Sequence, residues 1–174
     1  MDDAHKNILR EHLPYEIDLL EQCIEAWRKS TPASIRESKE VWAKREMPKN
    51  GFWLHARNLI EFFETSAADR QAAAADHFTT KPRHYEMPSK ETKQKIHAQI
   101  AHLNYDRVTE FGKLTFDDAL RIKSQIDRAV AEFQDHLTAE AQALWEKRAP
   151  IKVLYENLPS QSSTASWSKP IEWP

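Results

Sequence analysis

Glycine is the residue whose scarcity most constrains this chain, because only Gly51 and Gly112 occur among its 174 residues. Barrels, sandwiches and tight hairpins use glycine freely, since it reaches backbone conformations that other residues avoid. A chain with two glycines is therefore expected to be helical. The sequence also contains no GxGxxG or GxxxxGK[ST] motif, which argues against a dinucleotide or P-loop nucleotide site.

Charge and cysteine content narrow the functional class. The 25 Lys and Arg residues nearly balance the 27 Asp and Glu residues, so no global basic field is expected to attract nucleic acid. The single cysteine, Cys23, cannot form an intramolecular disulfide and is expected to be a small core residue. No apolar run reaches membrane-spanning length, and the N-terminal residues lack a signal-peptide pattern. We expect a one-domain cytoplasmic protein without a membrane segment and without a cofactor.

Apolar residues recur at spacings of three and four along several segments, which predicts amphipathic helices. The first clear helix is expected to begin at Leu13, since the following proline is tolerated in a first turn. A shorter helix is expected over residues 33–47 and a loop over residues 47–51. The most buried helix is then expected over residues 52–65, which are apolar on most sides.

Polar caps predict where the later helices begin. Ser89 is placed to cap one helix, and Thr115 and Asp118 have the form of a capping box at the start of another. Thr138 marks either a continuation of that helix or a new start. The predicted fold is therefore all-α, an up-and-down bundle of four to five helices over residues 1–157. Residues 158–174 form a Ser- and Pro-containing tail that is expected to be extended or disordered. Four tryptophans lie on or beside the apolar stripes and are expected in the core: Trp27, Trp42, Trp53 and Trp145.

Two helical segments, residues 52–63 and 96–107, carry polar side chains among apolar ones. Such groups are costly to bury without partners, so the two segments form a candidate site if their helices meet in the bundle. The candidate side chains are His55, Arg57 and Asn58 for phosphate or ligand binding, and His102, Tyr105 and Arg107 for catalysis.

The runs LHARNLIEFF (residues 54–63) and IAHLNYDR (residues 100–107) resemble two helices of a set of uncharacterised bacterial proteins. The resemblance spans roughly residues 13–145, and those proteins are similar in turn to the HEPN superfamily of toxin–antitoxin and phage-defence systems. It implies a helical homodimer. In active HEPN ribonucleases an arginine and a histidine at the dimer interface cleave RNA without metal. In this chain Lys95 stands where that arginine would precede His102, and Arg70 with His77 offers a second pair of similar spacing.

The resemblance implies an interaction or RNA-associated module, with a metal-independent endoribonuclease as the alternative. In a catalytic site His102 would be the acid–base group, and Arg57 or Arg107 would hold phosphate. Tyr105 and Asn58 would orient the reacting groups. The partner would be a second copy of the chain, an RNA or another protein.

Structural roles compete with each of these hypotheses. Arg57 has Glu61 four residues later, the spacing of an ion pair on a helix, and a histidine near a helix end often serves only as a hydrogen-bond donor. The lysines before His102 form either a solvated face or a phosphate-binding side; they are Lys90, Lys93 and Lys95. A metal-binding bundle is the remaining alternative, with imidazoles from separate helices as ligands: His55, His77, His97, His102 and His136.

Overall fold

The computed structural model describes residues 1–30, 38–68, 73–100 and 113–146. Within these ranges every regular element is helical, apart from one isolated bridge between Thr79 and Leu137, so the predicted all-α bundle is confirmed. The elements in chain order are α1 (Asp3–Asn7), a π-helical segment (Ile8–His12), α2 (Leu13–Arg28), α3 (Lys39–Glu64), a 3-10 turn (Ala75–His77), α4 (Lys90–Ile100), α5 (Phe116–Asp135) and α6 (Ala139–Trp145). The predicted domain boundary at residue 157 and the predicted tail lie outside the described residues.

Helix α3 is the centre of the bundle and packs against α2, α4 and α5. Its pairing with α2 is antiparallel, because Glu16 contacts His55 whereas Cys23, further along α2, lies against the earlier Gly51. The side chains that are most completely enclosed are large aromatic and aliphatic ones: Phe52, Trp53, Phe78, Phe133, Leu20 and Ile126. As predicted, Cys23 is part of this core, with 1% of its surface exposed.

The loop predicted over residues 47–51 is wrong, because α3 continues through Pro48 and Gly51 without a break. The helices predicted separately over residues 33–47 and 52–65 are consequently one helix, which begins at Lys39. A proline inside a helix removes one backbone hydrogen bond, but Pro48 is buried. We attribute the continuity of the helix to this apolar burial, which offsets the lost hydrogen bond.

Gly51 serves close packing in α3. A Cβ atom at this position would lie 2.7 Å from Sγ of Cys23, closer than real Cβ contacts allow. Glycine therefore lets α2 and α3 approach each other at this level. The residue that looked like a helix breaker is a contact point between two helices.

The first helical stretch also begins earlier than predicted, at Asp3, where Asp2 accepts a hydrogen bond from the backbone N–H of His5. Helix α1 leads into the π-helical segment, in which the N–H of Leu13 donates to the carbonyl of Ile8, five residues back. In a regular helix the ring of Pro14 would clash with the carbonyl four residues earlier. The wider π-helical turn accommodates that ring, so the proline lies inside a continuous helix.

Trp42 is the exception to the prediction that the helical tryptophans are core residues. Trp53 and Trp145 are buried, whereas 54% of the surface of Trp42 is exposed. Trp27, near the end of α2, lines a hollow with Glu46 of α3. Because α2 ends at Arg28, near this level, we attribute the exposure of Trp42 to the first turns of α3 extending past α2.

The predicted caps at Ser89 and Thr115 are confirmed, and of the two alternatives at Thr138 the structure shows a new start. The hydroxyl of Ser89 accepts from the N–H of Thr92 at the start of α4, and Thr138 caps α6. At the start of α5, Thr115 and Asp118 form a capping box, each accepting a backbone hydrogen bond from the other. Burial raises the pKa of Asp118, but hydrogen bonds from Thr115 and Arg121 outweigh it and hold the pKa below its usual value of 3.8.

Within the described ranges, no helix combines the length and the apolarity that crossing a membrane requires.

Candidate functional site

A carboxylate of α2 holds two polar side chains of α3. Oε2 of Glu16 lies 2.8 Å from Nδ1 of His55 and accepts a hydrogen bond from Nδ2 of Asn58 at 3.1 Å. His55 and Asn58 are three residues apart on α3, so both project toward the same neighbouring helix. Two of the predicted site residues are thus brought together, by a glutamate that the sequence analysis did not include.

The hydrogen bond to Glu16 determines how His55 presents its ring. The side chain of His55 is 11% exposed and that of Glu16 is 23% exposed. An ionised carboxylate only accepts hydrogen bonds, so Nδ1 carries the proton in this contact and a neutral imidazole offers Nε2 as an acceptor. The ring of Tyr15 meets the imidazole edge-on, with 6.1 Å between centroids. An imidazole oriented by a carboxylate in this way suits acid–base chemistry or ligand binding.

Arg57 does not join this cluster. Its Nη2 and Nε atoms donate to Oε1 of Glu61, at 3.1 and 3.3 Å. This is the ion pair that the four-residue spacing predicted. A phosphate held by Arg57 would have to compete with this carboxylate for the guanidinium group.

The proposed catalytic residues His102, Tyr105 and Arg107 lie in residues 101–112, outside the described residues. Helix α4 is described as far as Ile100. Their roles therefore remain predictions, as does the meeting of the two polar segments.

Two of the three lysines of α4 form ion pairs with acidic side chains. Lys93 donates to both carboxylate oxygens of Glu64 at 2.8 Å, and Lys95 pairs with Glu91 at 3.0 Å. These pairs neutralise two of the three lysine charges on which the prediction of a phosphate-binding side depended. The solvated, ion-paired face is the interpretation that these contacts favour.

Three of the five histidines of the metal hypothesis have separate hydrogen-bond partners. His55 contacts Glu16, a ring nitrogen of His77 lies 3.2 Å from the carbonyl of Ala67, and one of His136 lies 2.8 Å from the carbonyl of Glu132. Among the described residues, no group of three or more His, Cys, Asp or Glu side chains is arranged to hold a metal ion. His102 and Arg70 lie outside these residues.

A groove of about 510 Å³ runs between the π-helical segment, α2 and the second half of α3, and it begins at Glu16. Its apolar wall consists of Ile8, Leu13, Leu59, Phe62 and Ala73. Its polar groups are His12, Glu16, Asn58, Glu61 and Thr65. The cluster around Glu16 therefore stands at one end of an apolar groove with a few placed polar groups.

Glu16 could have been found from its position in the sequence. It lies three residues after Leu13 and four before Leu20, so it occupies the apolar stripe of α2. An acidic residue on a buried stripe needs a partner, because an unpaired charge is costly to bury. The sequence signal was present, but the identity of the partner was not.

Tyr85 is a second buried polar residue, outside the groove. Its hydroxyl has no hydrogen-bond partner among the described residues, and its ring lies 4.8 Å from that of Phe63. Burial, together with the negative charges of Asp76 and Glu132, raises the pKa of Tyr85 to about 12. The phenol is therefore neutral at physiological pH.

Comparisons with family models, with curated proteins and with solved structures each found no match to this chain. The HEPN resemblance thus remains a prediction from the two helical runs.

Proposed function

We propose that this chain is an interaction module built on a HEPN-like helical bundle, and that its partner binds in the groove beside Glu16. The observation that carries the proposal is the position of Glu16, which lines the groove while two donors of α3 hold its carboxylate.

The form of the groove supports a binding role. Ligand sites are typically concave and largely apolar, with a small number of fixed polar groups that orient what binds. Here the apolar wall is formed by side chains of the π-helical segment, α2 and α3 together with Ala73, and the carboxylate is already oriented. Because little ordering remains to be done on binding, less of the interaction free energy is lost to conformational entropy.

Site-specific photocrosslinking tests this proposal. Thr65 lines the groove at the end away from Glu16, so a benzoylphenylalanine in its place can react with an occupant. Glu40, at the opposite end of α3, is the control position, since it lies outside the groove lining and pairs with Lys44 on the surface. In cells that naturally make the protein, we expect a discrete adduct from position 65 that position 40 does not give. The same adducts from both positions, or none from either, would contradict a partner in the groove.

A metal-independent endoribonuclease is the second candidate, and the contact between Glu16 and His55 favours it. A carboxylate-oriented imidazole can take and return a proton, as hydrolysis of an RNA backbone without metal requires. In this mechanism His102, Tyr105 and Arg107 would complete the site. Arg57 would contribute only after exchanging Glu61 for a phosphate.

RNA cleavage in EDTA tests the ribonuclease. We expect activity that is lost in both His55→Ala and His102→Ala but kept in His84→Ala, because His84 is exposed and has no role in the site. No cleavage by the folded wild-type protein would reject the ribonuclease. Cleavage that survives both substitutions would trace to a contaminating enzyme.

The homodimer implied by the HEPN resemblance is part of the proposal. Its support is the exposure of three apolar side chains on the first three turns of α3: Val41, Trp42 and Met47. Sedimentation equilibrium of the wild type and of Trp42→Ser tests it. A wild-type dimer that Trp42→Ser weakens is expected, and a monomeric wild type at micromolar concentration would exclude the dimer.

A further inference from the structure

In the described part of the chain, each of the two carboxylates of the groove keeps one oxygen without a hydrogen-bond donor. Glu16 uses Oε2 for both of its hydrogen bonds, and Glu61 uses Oε1 for both of its contacts with Arg57. Among the described residues, Oε1 of Glu16 and Oε2 of Glu61 have no hydrogen-bond partner. Both residues line the groove, so these oxygens are available to an occupant.

The charge of the groove indicates whether its occupant is positively or negatively charged. Its described lining contains two carboxylates and His12 but no lysine or arginine. Arg57 compensates Glu61 from outside the lining, which leaves Glu16 as the charge that favours a cation. A phosphate would meet like charge here, whereas an ammonium or guanidinium group would be attracted.

The apolar wall of the groove indicates which groups lie next to the positive charge of the occupant. Ile8 and Ala73 of this wall are only partly buried and Phe62 keeps 7% of its surface exposed, whereas Leu59 is fully enclosed. Covering such surface with apolar side chains contributes roughly 25 cal/mol for each Å² removed from water. A free small cation would leave this apolar surface in contact with water. A peptide segment that has apolar side chains next to its charged one would cover it.

On the basis of the interaction function proposed above, we propose that the occupant is a cationic, amphipathic segment of a partner protein. Its lysine or arginine side chain binds the free oxygens of Glu16 and Glu61. Its apolar side chains cover Ile8, Phe62 and Ala73. RNA fits this groove less well, because its phosphate backbone carries the same sign of charge as the carboxylate of Glu16.

Fluorescence anisotropy with labelled probes tests the proposal on the full-length protein. The probes are a Leu/Lys amphipathic peptide of about fourteen residues, or four helical turns, a Leu/Glu peptide and a Ser/Lys peptide of the same length, and a single-stranded RNA of about ten nucleotides. The variants are Glu16→Gln and Glu61→Gln. The control is Glu40→Gln, which removes the same charge from the far end of α3, and circular dichroism verifies that each variant is folded.

We expect the Leu/Lys peptide to bind more tightly than the other three probes. Each groove variant should weaken it by about fivefold, the equivalent of one partly exposed charge contact, while Glu40→Gln binds as the wild type does. Glu61 is exposed, so Glu61→Gln keeps the test decisive even if Glu16→Gln disturbs α2 and α3. Tighter binding of RNA or of the Leu/Glu peptide would overturn the proposal, as would unchanged Leu/Lys binding in both groove variants.

The two proposals fail in different ways. If position 65 gives its crosslinked adduct but no Leu/Lys peptide binds, the groove has a partner of other chemistry and this inference is wrong. If neither the adduct nor peptide binding is found, the interaction function is wrong as well.

Discussion

Replacing Glu16 measures how strongly its carboxylate holds α2 to α3. In Glu16→Ala, Nδ1 of His55 and Nδ2 of Asn58 lose their common acceptor. A hydrogen bond to a charged group contributes about 1.5–3 kcal/mol when it is enclosed. Because the side chain of Glu16 is 23% exposed, water replaces part of what is lost, and we expect the free energy of unfolding to fall by about 1–2 kcal/mol in total. Glu16→Gln keeps an acceptor oxygen without the charge and should cost about half as much.

Urea unfolding followed by circular dichroism gives these differences. Glu25→Ala is the matched control on the same helix, because the carboxylate of Glu25 pairs with Arg28 at 2.8 Å on the surface. A surface pair of this kind is expected to contribute less than about 0.5 kcal/mol. Equal losses in Glu16→Ala and Glu25→Ala would refute the reasoning, and so would a Gln variant as unstable as the Ala variant.

Three further predictions concern the packing and capping of the bundle. Gly51→Ala forces a Cβ onto the sulfur of Cys23. The overpacking cost of about 1–3 kcal/mol should exceed the helix-propensity gain of about 1 kcal/mol, so the free energy of unfolding should fall. Cys23→Ala in the same chain should remove that cost, and a Gly51→Ala protein more stable than wild type would contradict the contact. Tyr85→Phe deletes a hydroxyl that has no described partner, so thermal unfolding should show stability unchanged or raised by up to about 1 kcal/mol, and a loss of that size would reveal a partner. Asp118→Ala should lower stability by about 1 kcal/mol at neutral pH. Because the native pKa of Asp118 lies below 3.8, the difference from wild type should be full above about pH 4 and narrow as the pH falls through the native pKa; a difference that stays constant down to about pH 2 would exclude the capping box as its source.

The features that the sequence predicted well are local ones. Thr115 and Asp118 form their capping box within a single helical turn, so their spacing contains all the information needed. The ion pair between Arg57 and Glu61 is likewise a neighbour contact on one helix. The all-α class followed from the periodicity of apolar residues, which is also read within a few turns.

The features that the sequence predicted poorly depend on residues far apart in the chain. Proline and glycine near residue 50 indicated a loop, but packing against α2 outweighed that local preference and α3 continued. His55 and Asn58 were recognised as unusual polar residues on a buried helix. Their partner Glu16 is 39 positions from His55, and no local pattern connects the two. The site was therefore located in part, without the carboxylate that orients it.

The buried thiol of Cys23 is a natural probe of how often α2 and α3 separate. It is the single thiol in the sequence and is 1% exposed beneath Gly51. An alkylating reagent can reach it only when α2 separates from α3, so the labelling rate under native conditions reports the population of molecules in which these helices are apart. The same two helices form walls of the groove. Slower alkylation in the presence of a ligand would therefore show that the ligand holds α2 and α3 together. The measurement uses the natural cysteine, so no residue has to be substituted for it.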